Sequence, residues 1–303
     1  MKNMKKDKLL RGLMADKNVQ FYAISGRELV KEAKRIHDTS ATCTAALGRS
    51  LMGTAILEAM EKGEQDQVSF IIKGDGPSGN IVCVGRKEGG SILVKGDIVN
   101  PQTELPPRAT GKLDVGGAVG HQGTLTIIRD SGMKEPYIGR SDLVSGEIAE
   151  DLGQYFVTSQ QTPSIVYLGV HIDRNFDVSA AGGIIIQLLP GCDDSVIDEM
   201  EALAPRLGTL VSQLEENDDL QAVLETLLVE QKPEFLEETP VAFSCDCSRT
   251  RVESALIALG AEEIQSMIAQ DDGAELTCHF CRKKYHFTGD ELGNLLAGAQ
   301  KRD

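Results

Sequence analysis

The sequence has few features that would direct it to a membrane or to nucleic acid. Its 303 residues contain no apolar run long enough to span a bilayer, and the basic N-terminal segment lacks the apolar stretch of a secretory signal. Basic residues number 31 against 46 acidic ones, and the net charge of −15 argues against binding to a phosphate backbone. We therefore expect a cytoplasmic protein that binds neither membrane nor nucleic acid.

Motifs of common enzymes are also missing from the sequence. The glycines of residues 74–79 (GDGPSG) and 116–123 (GGAVGHQG) match neither a P-loop nor a dinucleotide-binding fingerprint, and tight turns explain them. There is no G-x-S-x-G nucleophile elbow. His37, His121 and His171 are scattered, without the spacing of a catalytic metal site. We predict no catalytic residue and no organic cofactor, so the chain is not expected to be an enzyme.

The composition changes twice along the chain. Residues 1–190 combine helical patterns with short β-prone runs that are not each followed by a helix, which is typical of an α+β domain with mainly antiparallel pairing. Residues 191–240 carry acidic amphipathic patterns, and residues 241–303 contain two close cysteine pairs. We predict an N-terminal α+β core domain, a helical linker and a small C-terminal four-cysteine zinc domain over these three ranges.

One helix of the first domain is expected to be buried. Residues 41–60 are rich in Ala, Thr and Gly with larger aliphatic residues interleaved, and small residues at this density let a helix pack closely against its neighbours. Cys43 on this helix and Cys83 in a β-prone run are expected to be core residues rather than reactive thiols. Cys192 lies where the linker begins.

The linker combines high charge with apolar stripes. From Asp193 to Glu238 there are fourteen acidic and two basic residues, so 2 − 14 gives a balance of −12. Short helices of this kind are marginal alone and need a partner surface for their apolar faces. A solvated linker and a conditionally folded segment both remain open. The residues at helical spacing are Leu207, Leu210, Val211, Leu214, Leu220, Val223, Leu224, Leu227 and Leu228.

The C-terminal domain carries a C-x-C pair and a C-x-x-C pair. Cys245, Cys247, Cys278 and Cys281 predict a tetrahedral zinc site with four thiolate ligands. His279 and His286 are expected to be bystanders, because four thiols already fill a closed site. The spacing alone leaves open a permanent structural site and a thiol switch. A thioredoxin-like redox pair is less favoured, because no βαβ pattern surrounds it.

Local signals around the cysteines predict two helix starts and a positive cluster. Ser248 is placed to cap one helix, and Thr288 with Glu291 forms a capping box for the last one. Five basic residues lie beside the cysteines in sequence, and their charge would favour the thiolate forms. These residues are Arg249, Arg251, Arg282, Lys283 and Lys284.

Over essentially its whole length the sequence resembles the 33 kDa chaperonin family, the redox-regulated bacterial heat-shock chaperones. The resemblance depends on the cysteine module in combination with several segments, and a lone C-x-x-C would not carry it. These segments are FYAISGRELVKEA (21–33), TAALGRSL (44–51), GDGPSG (74–79), EPYIGRSDLVSGEIAEDLGQYF (135–156), QTPSIVYLGV (161–170) and AAGGIIIQLLPG (180–191).

The resemblance implies a stress-responsive holdase that works without ATP on unfolding proteins. It implies that the reduced form binds one Zn²⁺ and is inactive. On oxidation it implies disulfides joining Cys245 to Cys247 and Cys278 to Cys281, zinc release, linker unfolding and a homodimer. Each such disulfide closes only a tiny loop, so two local links would replace one that ties both pairs together across the domain. In this interpretation residues 241–303 form a redox switch.

Overall fold

In the computed structural model, which describes residues 6–271 and 273–299, the chain folds as two units. The first unit ends at Ser244 and the second begins at Cys245. The segment predicted as a linker groups with the first unit, and the three-part division itself stays a prediction.

The first unit alternates strands and helices without a regular βαβ repeat. Its strands are β1 (Lys8–Met14), β2 (Val19–Ser25), β3 (Gln67–Gly74), β4 (Ile81–Glu88), β5 (Ser91–Ile98), β6 (Gly123–Asp130), β7 (Tyr137–Asp142), β8 (Ser164–Ile172), β9 (Val178–Leu188) and β10 (Glu234–Phe243). Its helices are α1 (Arg27–His37), α2 (Ala41–Met60), α3 (Val115–Val119), α4 (Ala149–Thr158), α5 (Asp194–Leu207), α6 (Leu210–Glu216) and α7 (Leu220–Leu227), followed by a 3₁₀ turn over Val229–Gln231.

The strands form one sheet in the order β7-β6-β3-β4-β5-β10-β1-β2-β9-β8. Every neighbouring pair is antiparallel except β10 with β5, which run parallel. This confirms the predicted α+β class with mainly antiparallel pairing. The two halves of the sheet meet at β10, a strand that the sequence analysis did not predict.

Helix α2 is the centre of the first core. It contacts β3, β4 and β5 from one half of the sheet and β2, β8 and β9 from the other. Its small residues permit this packing on all sides, and 17 of its 20 residues are buried, which confirms the predicted buried helix. Ser40 begins the helix by accepting a hydrogen bond from Cys43 N.

The carboxylate of Glu58 lies inside this core. Glu58 on α2 is fully buried and accepts a hydrogen bond from Val68 N at 3.0 Å. Burial raises the pKa of Glu58 to about 7, against the opposing effects of the Lys87 charge and the Val68 hydrogen bond. The core of the first unit therefore contains a group that titrates near neutral pH.

The second unit is small and folds around the cysteines. Its elements are α8 (Arg249–Leu259), α9 (Ala261–Asp271), the hairpin of β11 (Gly273–Thr277) and β12 (Lys284–Thr288), and α10 (Gly289–Ala299). Ser248 accepts from Arg251 N, and Thr288 and Glu291 bond each other's backbone N–H, so both predicted caps are confirmed. Its buried core comprises Leu256, Ile264, Tyr285, Phe287 and Leu292.

Candidate metal centre

The four cysteines of the second unit come from two irregular segments. Cys245 and Cys247 lie in the extended stretch before α8, and Cys278 and Cys281 lie in the turn between β11 and β12. Cys278 N donates to Lys283 O, and a second backbone bond closes the turn onto Cys278 O. The C-x-x-C pair therefore sits in a hairpin turn and not at the start of a helix.

The sulfur atoms have the separations of a tetrahedral metal site. The four Sγ atoms all lie within 4.8 Å of one another. Cys245 Sγ is 3.7 Å from Cys278 Sγ, and Cys247 Sγ is 3.3 Å from Cys281 Sγ. Zinc–sulfur bonds of about 2.3 Å place tetrahedral sulfurs about 3.8 Å apart. The donor set and its spacing fit one thiolate-bound metal ion, and all four sequence-predicted ligands are brought together.

Hydrogen bonding makes the thiols unequal. Tyr285 Oη donates to Cys247 Sγ at 3.2 Å. Burial opposes ionisation of Cys247, but hydrogen bonds from Tyr285 and the neighbouring thiols outweigh it and hold the pKa of Cys247 below its ordinary value. Burial raises the pKa of Cys245 and of Cys281. The bond to Cys247 in turn raises the pKa of Tyr285 to about 12. Of these three thiols, Cys247 ionises most readily in the metal-free cluster.

The basic residues beside the cysteines are largely paired with carboxylates. Arg251 pairs with Asp246, and Arg249 Nη2 lies 2.7 Å from Glu291 Oε1. Lys284 is likewise paired, at 2.7 Å, with a glutamate on the facing strand. The low pKa of Cys247 therefore follows from hydrogen bonds to its sulfur and not, as the sequence suggested, from these positive charges.

Neither histidine of the second unit joins the cysteine group. The candidate metal-binding group among the described residues consists of the four cysteines alone. His286 is exposed and lies 3.2 Å from Glu275, and His279 is exposed as well. His279 and His286 thus lie outside the candidate metal-binding group, as predicted.

Comparison with known proteins shows which family has this combination of fold and cysteine centre. The family model described as "Hsp33 protein" matches residues 7–288. The chain belongs to the Hsp33 family. The "33 kDa chaperonin" of Caldanaerobacter subterraneus subsp. tengcongensis is 43% identical over 294 residues, covering 97% of this chain and 99% of that protein. The "33 kDa chaperonin" of Enterococcus faecalis is 43% identical over 289 residues, covering 95% and 96%.

A solved structure agrees with this assignment. The crystal structure of the 33 kDa chaperonin (heat shock protein 33 homolog) from Thermotoga maritima superimposes with a TM-score of 0.84 at 33% identity. The match covers 99% of this chain and 100% of that one. The described chain thus has the fold of an Hsp33-family chaperone together with a four-cysteine cluster suited to a metal.

In this Hsp33-family chain the linker helices cover an apolar face of the sheet. Helix α6 packs on β8 and β9, α5 contacts β8, and α7 contacts β2. The helices and strands share a second buried core. It comprises Leu10, Met14, Val19, Phe21, Ala23, Ile184, Ile186, Met200, Leu203, Leu207, Leu210, Leu214, Leu220, Val223, Leu224, Leu227 and Leu228. The apolar stripes predicted from helical spacing therefore lie against this surface.

A pair of facing glycines lets α6 approach the sheet closely. Gly169 on β8 is paired with Gly182 on β9. A Cβ atom at Gly169 would lie 2.7 Å from Val211 Cγ2, and one at Gly182 would lie 2.5 Å from Leu214 Cδ1. These two glycines form the groove that receives the apolar side of α6. Sequence analysis missed them, because glycines in a β-prone run do not reveal what crosses above them.

Polar contacts between the linker and the sheet domain are few and partly exposed. Arg27 Nη2 lies 3.1 Å from Asp218 Oδ2, and His171 Nδ1 lies 2.9 Å from Glu215 Oε2. Exposed ion pairs contribute at most about 1 kcal/mol each. Apolar burial, and not charge pairing, therefore keeps the linker helices α5, α6 and α7 docked.

The remaining cysteines are separate from the metal centre. Cys43 and Cys83 are fully buried in the first core, as predicted, and burial raises the pKa of both thiols. Cys192 is half-buried just before α5. No helix in the described part of the chain is both long and apolar enough to cross a membrane.

Proposed function

We propose that the chain is an ATP-independent holdase that is inactive when reduced and zinc-bound, and active after oxidation. Cys245, Cys247, Cys278 and Cys281 hold the metal, which ties the start of the second unit to its hairpin turn. Oxidation joins Cys245 to Cys247 and Cys278 to Cys281, and the metal leaves. The linker then unfolds, and the oxidised chain binds unfolding proteins, as a homodimer. No catalytic step is part of the proposal.

The single observation that carries this proposal is an apolar surface covered by a segment that leads into the metal centre. The linker helices cover the side chains of β1, β2 and β9 in the second core. Residues 194–243 connect that cover to Cys245 without a further domain between them. Uncovered apolar surface of this kind binds other apolar segments. The acidic charge of the linker would keep such complexes soluble.

The metal supplies order that the second unit cannot supply for itself. Structural zinc contributes on the order of 10–16 kcal/mol to small zinc modules, so its loss should unfold most of residues 245–299. Two local disulfides constrain the chain far less, because each closes a very small loop. Zinc is the ion that the four-thiolate donor set favours among common divalent metals.

The disulfide pairing is open to a direct test. In the reduced structure, sulfur contacts join Cys245 to Cys278 at 3.7 Å and Cys247 to Cys281 at 3.3 Å, across the two pairs. Peptide mapping of the oxidised protein by mass spectrometry distinguishes local from crossed disulfides. The proposal expects local ones. Crossed disulfides would preserve the long-range tie and contradict the switch.

The decisive experiment is light scattering from a chemically unfolded client diluted into buffer. Reduced, zinc-loaded protein is compared with protein treated with peroxide at heat-shock temperature. Suppression of aggregation by the oxidised sample alone is the expected result. Cys192→Ser should behave like the parent chain, since Cys192 is outside the cluster. Equal suppression by both samples would mean a constitutive binder, and suppression by neither would exclude the holdase.

A further inference from the structure

Along the chain, strand β10 connects the sheet to the candidate metal centre. It lies between β5 and β1 and is the strand through which the two halves of the sheet are hydrogen-bonded. It pairs antiparallel with β1, from Lys8 opposite Pro240 to Leu13 opposite Glu234. Its last residue, Phe243, is two positions before Cys245. The strand that closes the sheet therefore continues directly into the first metal ligand.

Few side chains hold β10 in this central position. Val241 is its one buried residue, whereas β9 is buried along nearly its whole length. The parallel pairing with β5 joins three residue pairs, ending at Phe243 opposite Val94. Pro240 has no N–H to donate, and Leu236 is 54% exposed. Backbone hydrogen bonds thus hold β10 with little apolar burial to reinforce them.

The position that β10 occupies in the sheet offers three apolar sockets, which receive the side chains of Phe235, Val241 and Phe243. Phe235 packs edge-to-face on Phe21 with ring centroids 5.7 Å apart, Val241 is buried in the first core, and Phe243 packs against that core. Along β1, Lys8 Nζ lies 2.8 Å from the Glu238 carboxylate. Without β10, the edge of β1 that pairs with residues 234–240 and the edge of β5 that pairs with residues 241–243 would present unpaired N–H and C=O groups.

We propose that β10 leaves the sheet when the metal centre is lost, and that an extended client segment takes its place between β1 and β5. The inference deepens the proposed function and rests on it. The occupant is a stretch of about ten residues in β conformation, because main-chain hydrogen bonds supply the affinity in strand addition and alternate side chains supply the preference. Apolar or aromatic residues are favoured at the positions of Phe235, Val241 and Phe243, and an acidic one at the position of Glu238, within reach of Lys8.

Hydrogen exchange on the intact protein tests strand release. In the reduced, zinc-loaded protein, amides of β1, β5 and β10 should be protected. After oxidation, protection should fall in all three strands. When an unfolded client is added, protection should return to β1 and β5 while β10 continues to exchange. Retained protection of β10 in the oxidised protein, or no recovery of β1 and β5 with client, overturns the proposal.

A peptide with the sequence of β10 itself tests the site. Fluorescent EFLEETPVAF, residues 234–243, should bind the oxidised protein and not the reduced one, and should displace a bound client. A matched peptide carrying F235D and V241D should bind at least about tenfold more weakly, because both sockets are apolar. Absence of binding to the oxidised protein, equal binding by the two peptides, or binding without displacement of client overturns the proposal.

Different measurements test the holdase function and the binding of a client in place of β10. Light scattering by the oxidised protein without peptide tests the proposed function alone. If oxidised protein suppresses aggregation and the peptide does not compete, the client site lies elsewhere and the holdase assignment stands. If oxidised protein suppresses nothing, the proposed function falls, and with it the client half of this inference. Hydrogen exchange still decides whether β10 is released.

Discussion

The two units of this chain differ in what keeps them folded. The first buries a continuous core around α2 and a second core beneath the linker helices. Among its described residues, the second unit buries five apolar side chains in one cluster, and one of them, Tyr285, also bonds a candidate metal ligand. A core of that size is marginal for a module of about sixty residues. The four-cysteine cluster that could hold a metal lies in this small unit, so we expect any metal-dependent stability to be confined to one end of the chain.

Removing the metal should give the largest difference between the units. A strong chelator added to reduced protein should unfold most of residues 245–299 and leave α2 and its surrounding strands folded, a loss on the order of 10–16 kcal/mol for the second unit. Hydrogen exchange resolved by segment measures this. Cys192→Ser is the matched control: it should hold one metal ion per chain before chelation and lose it to the chelator as the parent chain does. Protection of β11 and β12 that survives chelation would contradict the metal dependence.

A substitution that loosens the linker should destabilise its packing on the second core of the first unit. Leu224 is fully buried in the second core, so Leu224→Ala should destabilise the docked linker by about 2–5 kcal/mol. The reduced variant should then suppress client aggregation without oxidant, measured by light scattering. Val229→Ala is the control, because Val229 is 59% exposed. A destabilised but inactive Leu224 variant would separate linker docking from activity.

Titration should distinguish the first core from the second unit. The pKa of Glu58 is raised to about 7, so its buried carboxyl is favoured as the neutral form. Its stabilising contribution is complete below the unfolded pKa of about 4.3 and is lost as pH rises through 7. Relative to Glu58→Gln, the parent chain should lose roughly 3–4 kcal/mol between these limits, at about 1.36 kcal/mol for each pH unit.

Urea unfolding monitored in the first unit across pH measures this loss. Glu64→Gln is the control, since Glu64 is exposed. A parent chain that tracks the Glu58→Gln variant at every pH would mean that Glu58 titrates in its normal range.

The smallest expected effect concerns Tyr285, which belongs to the core of the second unit and bonds a candidate metal ligand. Tyr285→Phe keeps the packing but removes the hydrogen bond to Cys247 Sγ. Partners of metal ligands of this kind contribute roughly tenfold or more to metal affinity. Competition with a chromophoric chelator should show zinc held about tenfold more weakly. Tyr137→Phe, at a half-exposed site in the first unit, should leave affinity unchanged. Equal affinities for both variants would mean that the hydroxyl is dispensable.

Local patterns allowed much of this structure to be predicted. The bounds of α2, the two caps beside the cysteines and the grouping of the four thiols all followed from signals within short stretches of sequence. Helical spacing also identified nine linker residues that are buried, although it missed Met200 and Leu203. In each case the decisive contacts are made by near neighbours, or by a metal-ligand pattern that specifies its own geometry.

What could not be predicted depends on partners distant in sequence. Strand β10 is acidic, follows Pro233 and contains Pro240, so it does not read as a central strand, and its pairing with β1 spans most of the chain. The bond from Tyr285 to Cys247 depends on how the β11–β12 hairpin is placed. Likewise, the basic residues beside the cysteines were counted without the carboxylates that fold back onto them.

The two buried cysteines of the first core have a consequence for the history of each molecule. Cys43 and Cys83 are inaccessible in the folded first unit, whatever happens to the thiols at the other end of the chain. An alkylating reagent can reach them only when that unit opens. Modified thiols at these two positions, counted with the reagent present throughout oxidation, therefore report whether the first unit opened during that exposure. The two thiols thus serve as an internal probe that distinguishes opening of the first unit from structural change confined to the second.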